Sequence, residues 1–179
     1  METSSTTIPV FDFATCLNNS MRVISVCVAD HNRTVAKIAV RVVDALAYPR
    51  EERAQIVLAA LLHDIGAIAR SDDSTGLRFD RDPPHDDHAE LGFRFVSQLD
   101  CAPGAAEVIR YHHRRWDHGA GRESSGDAVP RGAHVVHLAD RVAALVARIP
   151  ESSRRVARVR KSIRGRRGTA FHPDMVDAL

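Results

Sequence analysis

Aromatic residues make up only 5% of this 179-residue chain, with a single Trp. Cysteine is equally sparse: Cys16, Cys27 and Cys101 stand far apart and form no C-x-x-C pair. That spacing excludes a zinc knuckle or a disulfide framework and fits a reducing compartment. No run approaches the roughly 18 apolar residues that cross a bilayer. The opening METSSTTIPV has neither the basic start nor the apolar stretch of a secretory signal. A soluble, cytoplasmic protein with no membrane partner is therefore expected. Neither sign of charge dominates: 25 Lys and Arg face 23 Asp and Glu, net +2, so overall charge gives no argument for a nucleic-acid partner. Strand-like alternation is scarce as well, which leaves the helical period as the main signal.

What is present is globular. Apolar residues reach 44% and charged residues 27%, and the length suits one domain. The periodicity predicts an all-α bundle of about seven helices. VFDFATCLNNSMRVISVCVAD reads as a first helix, broken near Asn18 and Asn19. HNRTVAKIAVRVVDALAY follows, with His31, Val35, Ile38, Val42 and Leu46 on one face. EERAQIVLAALLHDIGAIAR begins with acids that suit the helix dipole. The stretch over 71–86 is rich in Asp, Gly and Pro and reads as a loop. DHAELGFRFVSQL and APGAAEVIRYHHRRW are two further helices, separated by a second polar loop from AHVVHLADRVAALVARI. A basic helix over SSRRVARVRKSIRGRR and a short one opened by HPDMVDAL complete the chain. Residues 1–30 are expected to be the N-terminal helix of the bundle and 31–179 the functional domain.

Ten histidines are the compositional oddity. His31, His63, Asp64, His88, His112, His113 and Asp140 fall on five different predicted helices, mostly near an end or a loop. Singly each has an ordinary reading: His31 as a core histidine, His112–His113 as a helix C-terminal cap, Asp140 as a carboxylate neutralised by Arg141. Together they form a donor set that a bundle can aim at one interior point. Imidazole with carboxylate suits Fe, Mn, Co, Ni or Zn better than Ca or Mg. On a helix, neighbours i and i+1 diverge by about 100°, so His63 and Asp64 are not expected to chelate a single ion together. An Asp bridging two ions, with its neighbour on one of them, resolves that geometry, and His112–His113 can likewise serve two ions. A centre of two metals about 3.5–4 Å apart activates a water and clamps a phosphoryl oxygen, which points to phosphoester hydrolysis.

Six stretches in order, HNRTVAKIA, LLHDIGAI, DHAELG, YHHRRWDHGAG, VPRGAHVVHLADRVAAL and GTAFHPDMVDAL, resemble the motifs of the HD superfamily of metal-dependent phosphohydrolases, in particular its HD-GYP branch. LLHDIGAI resembles the branch's LLHDIGKI, and YHHRRWDHGAG its HHERxDGxGYP. The resemblance implies an HD-type helical bundle holding two divalent transition-metal ions, Fe or Mn foremost and Ni, Co or Zn as alternatives. It assigns His31, His63, Asp64, His88, His112, His113 and Asp140 as the metal ligands, with Asp64 bridging. It further implies hydrolysis of cyclic di-GMP or a related cyclic dinucleotide by a bridging hydroxide. The chain departs from the branch pattern where Ala67 replaces the lysine after HDIG, Arg114 replaces the Glu of HHE, and Gly121 is followed by Arg122–Glu123 in place of Tyr-Pro. These departures keep two alternatives open: hydrolysis of another nucleotide or phosphoester, or a catalytically weak signalling module that binds cyclic dinucleotides.

Arg114, Arg115, Trp116 and Arg141 are the candidate substrate contacts, the arginines for phosphate and Trp116 for stacking a base. The arginine-rich segment over 154–167 predicts a helix packed through Val156, Val159 and Ile163. Its solvated face would attract an anionic substrate. Without interleaved aromatics it is not expected to serve a nucleic acid. A homodimer, or a signalling domain before or after this one, remains open. Of the other histidines, His85, His118, His134, His137 and His172 are not expected to be ligands, although His134 or His137 would stand behind one.

Overall fold

Proline or serine stands at the start of several helices in this chain. The computed structural model describes residues 9–69, 87–100 and 102–179. The loop expected over 71–86, with His85, and also Cys101, lie outside the described residues. Helix α1 (Val10–Ile24) runs unbroken through Asn18–Asn19. The expected break falls instead at Ser25, whose extended backbone separates α1 from α2 (Val26–Ala45) and whose hydroxyl accepts from the Val28 amide. Serine is well suited to such a cap. Asn18 is fully buried, and its amide donates to the Ala29 carbonyl at 3.1 Å, so it pins α1 to α2 where a break was expected. His31 consequently sits in the second turn of α2, not at its start.

Helix α3 (Arg50–Leu62) carries Glu51 and Glu52 in its first turn and stops at Leu62, with Ile65–Ala69 following as a 3-10 turn. His63 and Asp64 therefore lie in the connection and not inside an apolar helix. Helix α4 spans Asp87–Val96. Helix α5 (Pro103–Arg110) opens on a proline, whose fixed φ suits a first helical position. It ends before His112 and His113, so that pair also belongs to a turn. A 3-10 turn over Asp117–Arg122 leads into a two-strand antiparallel hairpin, β1 (Glu123–Ser124) and β2 (Asp127–Ala128). Its turn residues Ser125 and Gly126 both have positive φ. Helices α6 (Arg131–Arg148), α7 (Arg155–Arg164) and α8 (Pro173–Asp177) follow.

Eight α-helices and one small hairpin among the described residues make the fold all-α. Its axis is α6, buried at every position from Gly132 to Leu145. Helices α2, α3, α5, α7 and α8 pack against it. Val35, Val42, Ile56, Leu62, Ile109, Leu138 and Phe171 form the tightest part of the core. Gly132 lets α6 meet α3, since a Cβ there would lie 2.6 Å from an Ile56 side-chain carbon. On α7, Val159 and Ile163 are buried as expected, but Val156 is 66% exposed, so the packing face begins one turn later than the pattern suggested.

Candidate metal centre

Both adjacent donor pairs sit just beyond a helix end, where the chain turns. The His63 ring donates from Nδ1 to the Ala60 carbonyl at 3.0 Å, and the His112 ring does the same to Ile109 at 2.6 Å. Each bonds a carbonyl in the last turn of the helix it follows. With Nδ1 carrying the proton, Nε2 of each ring is left as a lone-pair donor, the arrangement that metal-binding imidazoles use.

Two glycines bring the turn after α3 onto α4. A Cβ on Gly66 would lie 2.1 Å from the His88 carbonyl, and one on Gly92 would lie 2.9 Å from an Ile109 methyl. Only with hydrogen at position 66 can Asp64 come within reach of His88. The Asp64 carboxylate then faces both ways: Oδ2 lies 3.3 Å from His63 Nε2 and Oδ1 lies 3.4 Å from His88 Nε2. The neighbours His63 and Asp64 do converge, contrary to the helical expectation, because the turn frees them from the 100° step.

The donors gather into two groups, each with ligand atoms within 4.8 Å of one another: His31, His63 and Asp64, and His88, His112 and His113. Nε2 of His113 lies 3.2 Å from Nε2 of His88, and the rings of His112 and His113 are 3.9 Å apart. The seventh residue, Asp140, belongs to neither group. Its Oδ1 meets His31 Nε2 at 2.9 Å, and its Oδ2 accepts from Arg141 at 2.6 and 2.9 Å. Arg141, expected at the substrate, is only 3% exposed and spends both contacts on this carboxylate.

The electrostatics follow from these contacts. Burial works against a charged Asp64, but His63 and His88 outweigh it and hold the carboxyl far below its ordinary range. Burial opposes Asp140 in the same way and is overcome by His31 and Arg141. His31 is raised, its desolvation outweighed by Asp140. His137, fully enclosed and close to Arg141, is pushed down to about 3 and stays neutral. Its Nδ1 donates to the His112 carbonyl at 3.1 Å, fixing the turn that carries the His pair. His134, one turn earlier on α6, is lowered to about 4 by burial and by His172.

The rim is built from the segment after the His pair. Arg114 is exposed and donates to the Glu123 carbonyl at 2.8 Å, and Arg115 is exposed beside it. Trp116 is half-buried, stacked 4.1 Å from His172 and edge-on to His134 at 5.3 Å, with the Arg122 guanidinium over its ring. The amides of Trp116, Asp117 and His118 donate to the carbonyls of Ala170, Thr169 and Gly168, docking the rim onto the segment after α7.

The HD-domain family model matches residues 28–145, well over half of the chain. The chain belongs to the HD-domain family. No curated protein matches it. All seven expected donors fall within the matched span of the HD domain. The imidazole and carboxylate donors also fit a divalent transition metal on chemical grounds: the Nδ1 contacts of the buried His63 and His112 rings leave Nε2 of each to donate. Family and donor set together make this HD-domain chain a metal-dependent phosphohydrolase in general type. None of its described helices is long and apolar enough to cross a membrane. Spacing alone could not reveal three parts of the site: the Gly66 contact, the anchoring carbonyls of Ala60 and Ile109, and the hold of His137 on His112. Only the i, i+3 row of His134, His137 and Asp140 on α6 hinted at the last.

Proposed function

We propose that the chain hydrolyses cyclic di-GMP or a related cyclic dinucleotide at a centre of two divalent metal ions. The observation that carries this reading is Asp64, whose two oxygens face the two donor groups separately. His31 and His63, with Asp140 beside His31, would hold one ion, His88, His112 and His113 the other, and Asp64 both. Two such ions supply an acidified water and a clamp for the phosphoryl oxygens. The chain's own residues do the rest. Asp140, kept ionised by Arg141, orients His31. His137 orients the His112 turn. Arg114 and Arg115 lie directly beside His113 and are the exposed cations placed to meet a phosphodiester.

A second reading, another nucleotide or phosphoester as substrate, is favoured by the rim. Arg141 is committed to Asp140, one face of Trp116 is covered by His172, and Ala67 offers no cation. The deciding experiment measures metal content and turnover of cyclic dinucleotides, with Asp64→Ala as control. Two ions per chain with turnover are expected, and a loss on the order of 10³-fold in the variant, several kcal/mol of transition-state stabilisation. Two bound ions without turnover of any cyclic dinucleotide would discard the first reading in favour of the second.

A further inference from the structure

Between residues 152 and 173 the chain carries eight cations, Arg154, Arg155, Arg158, Arg160, Lys161, Arg164, Arg166 and Arg167, and no carboxylate. The whole chain is +2, so the remainder carries −6 (2 − 8). Elsewhere several arginines meet carboxylates: Arg53 with Asp44, Arg94 and Arg110 with Glu90, Arg131 with Asp174. On this segment Arg167 pairs with Asp177, and Arg155 donates to the Val146 carbonyl. Among the described residues Arg158 and Lys161 have no such partner.

They do not simply point outward at random. Arg158, Lys161, Ser162, Gly165 and Arg166, at i, i+3, i+4, i+7 and i+8, line one open groove of about 600 Å³. The groove is of small-ligand size. Arg166 donates to the Ser162 hydroxyl at 3.2 Å. Gly165 presents no side chain there. The C-terminal dipole of α7 accounts for only about half a negative charge, far less than three cations converging on one groove. The apolar residues Val159 and Ile163 are spent on the core, which leaves Val156 as the one exposed large apolar side chain of α7, too little to enter a bilayer.

We propose that this groove is a second anion site, separate from the metal centre, that takes the phosphate chain of a small ligand such as a nucleoside triphosphate or inorganic tripolyphosphate. Arg158 and Arg166 would engage phosphate oxygens as guanidinium forks, Lys161 as a point charge, and Ser162 as a hydroxyl donor. The proposal goes beyond the hydrolysis reading and does not depend on it.

Calorimetric titration of the whole, chelator-treated chain at 0.15 M salt tests it, because no metal is then present to bind phosphate. Tripolyphosphate and GTP are both expected to bind one to one if the phosphate chain is what is recognised. GTP alone binding would place the recognition on the nucleoside as well, and tripolyphosphate alone would restrict the site to the inorganic chain. Arg158→Ala and Lys161→Ala should each weaken binding about tenfold, and higher salt should weaken it further. Asp64→Ala should leave binding unchanged. No heat at millimolar ligand, affinity unmoved in the Arg158→Ala/Lys161→Ala double variant, or binding lost with Asp64→Ala would each overturn the site. A duplex RNA that binds through Arg158 and Lys161 while tripolyphosphate does not would also overturn it, by making the groove a surface for a polymer.

Discussion

The donor cluster beside α6 and the outer groove of α7 handle charge on opposite terms. In the interior each charge meets a fixed counterpart: Asp140 lies between His31 and Arg141, and Asp64 between His63 and His88. The rings of His63, His112 and His137 are tethered as well, to the carbonyls of Ala60, Ile109 and His112. In the groove, Arg158 and Lys161 are paired with no carboxylate among the described residues. Desolvated charge is costly unless paired, so geometry in the cluster is set by folding itself. Charge in water is cheap, so Arg158 and Lys161 can stand on an open surface at little cost. One region is organised before anything binds, and the other stands open.

Three substitutions sharpen this contrast. The largest effect is expected from Gly66→Ala, because the new methyl would meet the His88 carbonyl at 2.1 Å. Backbone on both sides leaves nothing flexible to move aside. A loss of about 3 kcal/mol and roughly 10 °C in melting temperature is expected, with lower metal content in whatever folds. Calorimetric melting with elemental analysis reads both, and an unchanged melting temperature would show the turn to be looser than drawn. Next comes His137→Phe, which keeps the ring volume but drops the hydrogen bond to His112. Metal affinity should fall roughly 10–100-fold, measured by competition with a chelator of known strength. Retained affinity would mean that the His112 turn holds itself in place. The smallest effect belongs to Lys161→Ala, which should move unfolding free energy by no more than about 0.5 kcal/mol in a denaturant titration. A larger loss would show the groove to be part of the scaffold.

Much of the bundle is legible in the sequence because its helices are amphipathic: Val35, Ile38, Val42 and Leu46 declare the inner face of α2, and the apolar run of α6 declares a buried helix. The donor residues were legible for a different reason. Histidine and aspartate in apolar surroundings need a physical justification, and seven of them in order supply one. What stayed hidden is set by single contacts at chain turns. Nothing in the LLHDIG pattern says that the helix stops at Leu62, since Ile65 and Ile68 continue its apolar period. The stop becomes intelligible once Gly66 is seen packed on α4. Likewise, Asn18 looks like a helix breaker in sequence, but buried against the Ala29 carbonyl it is a clamp. Arg141, a candidate substrate contact by sequence, is buried and donates to Asp140.

The docking of the rim has a further consequence. Residues 116–118 are held to 168–170 by main-chain amides and carbonyls, so this part of their anchorage does not depend on which side chains they carry. The chemistry that a substrate would meet there can be rewritten while the donor cluster stays put. Asp117 and His118 have positive φ, which admits Gly, Asn or Asp most readily, whereas Trp116 lies under no such constraint. The segment behaves as an exchangeable faceplate on a fixed core, and grafting a different sequence there is a direct route to altered selectivity.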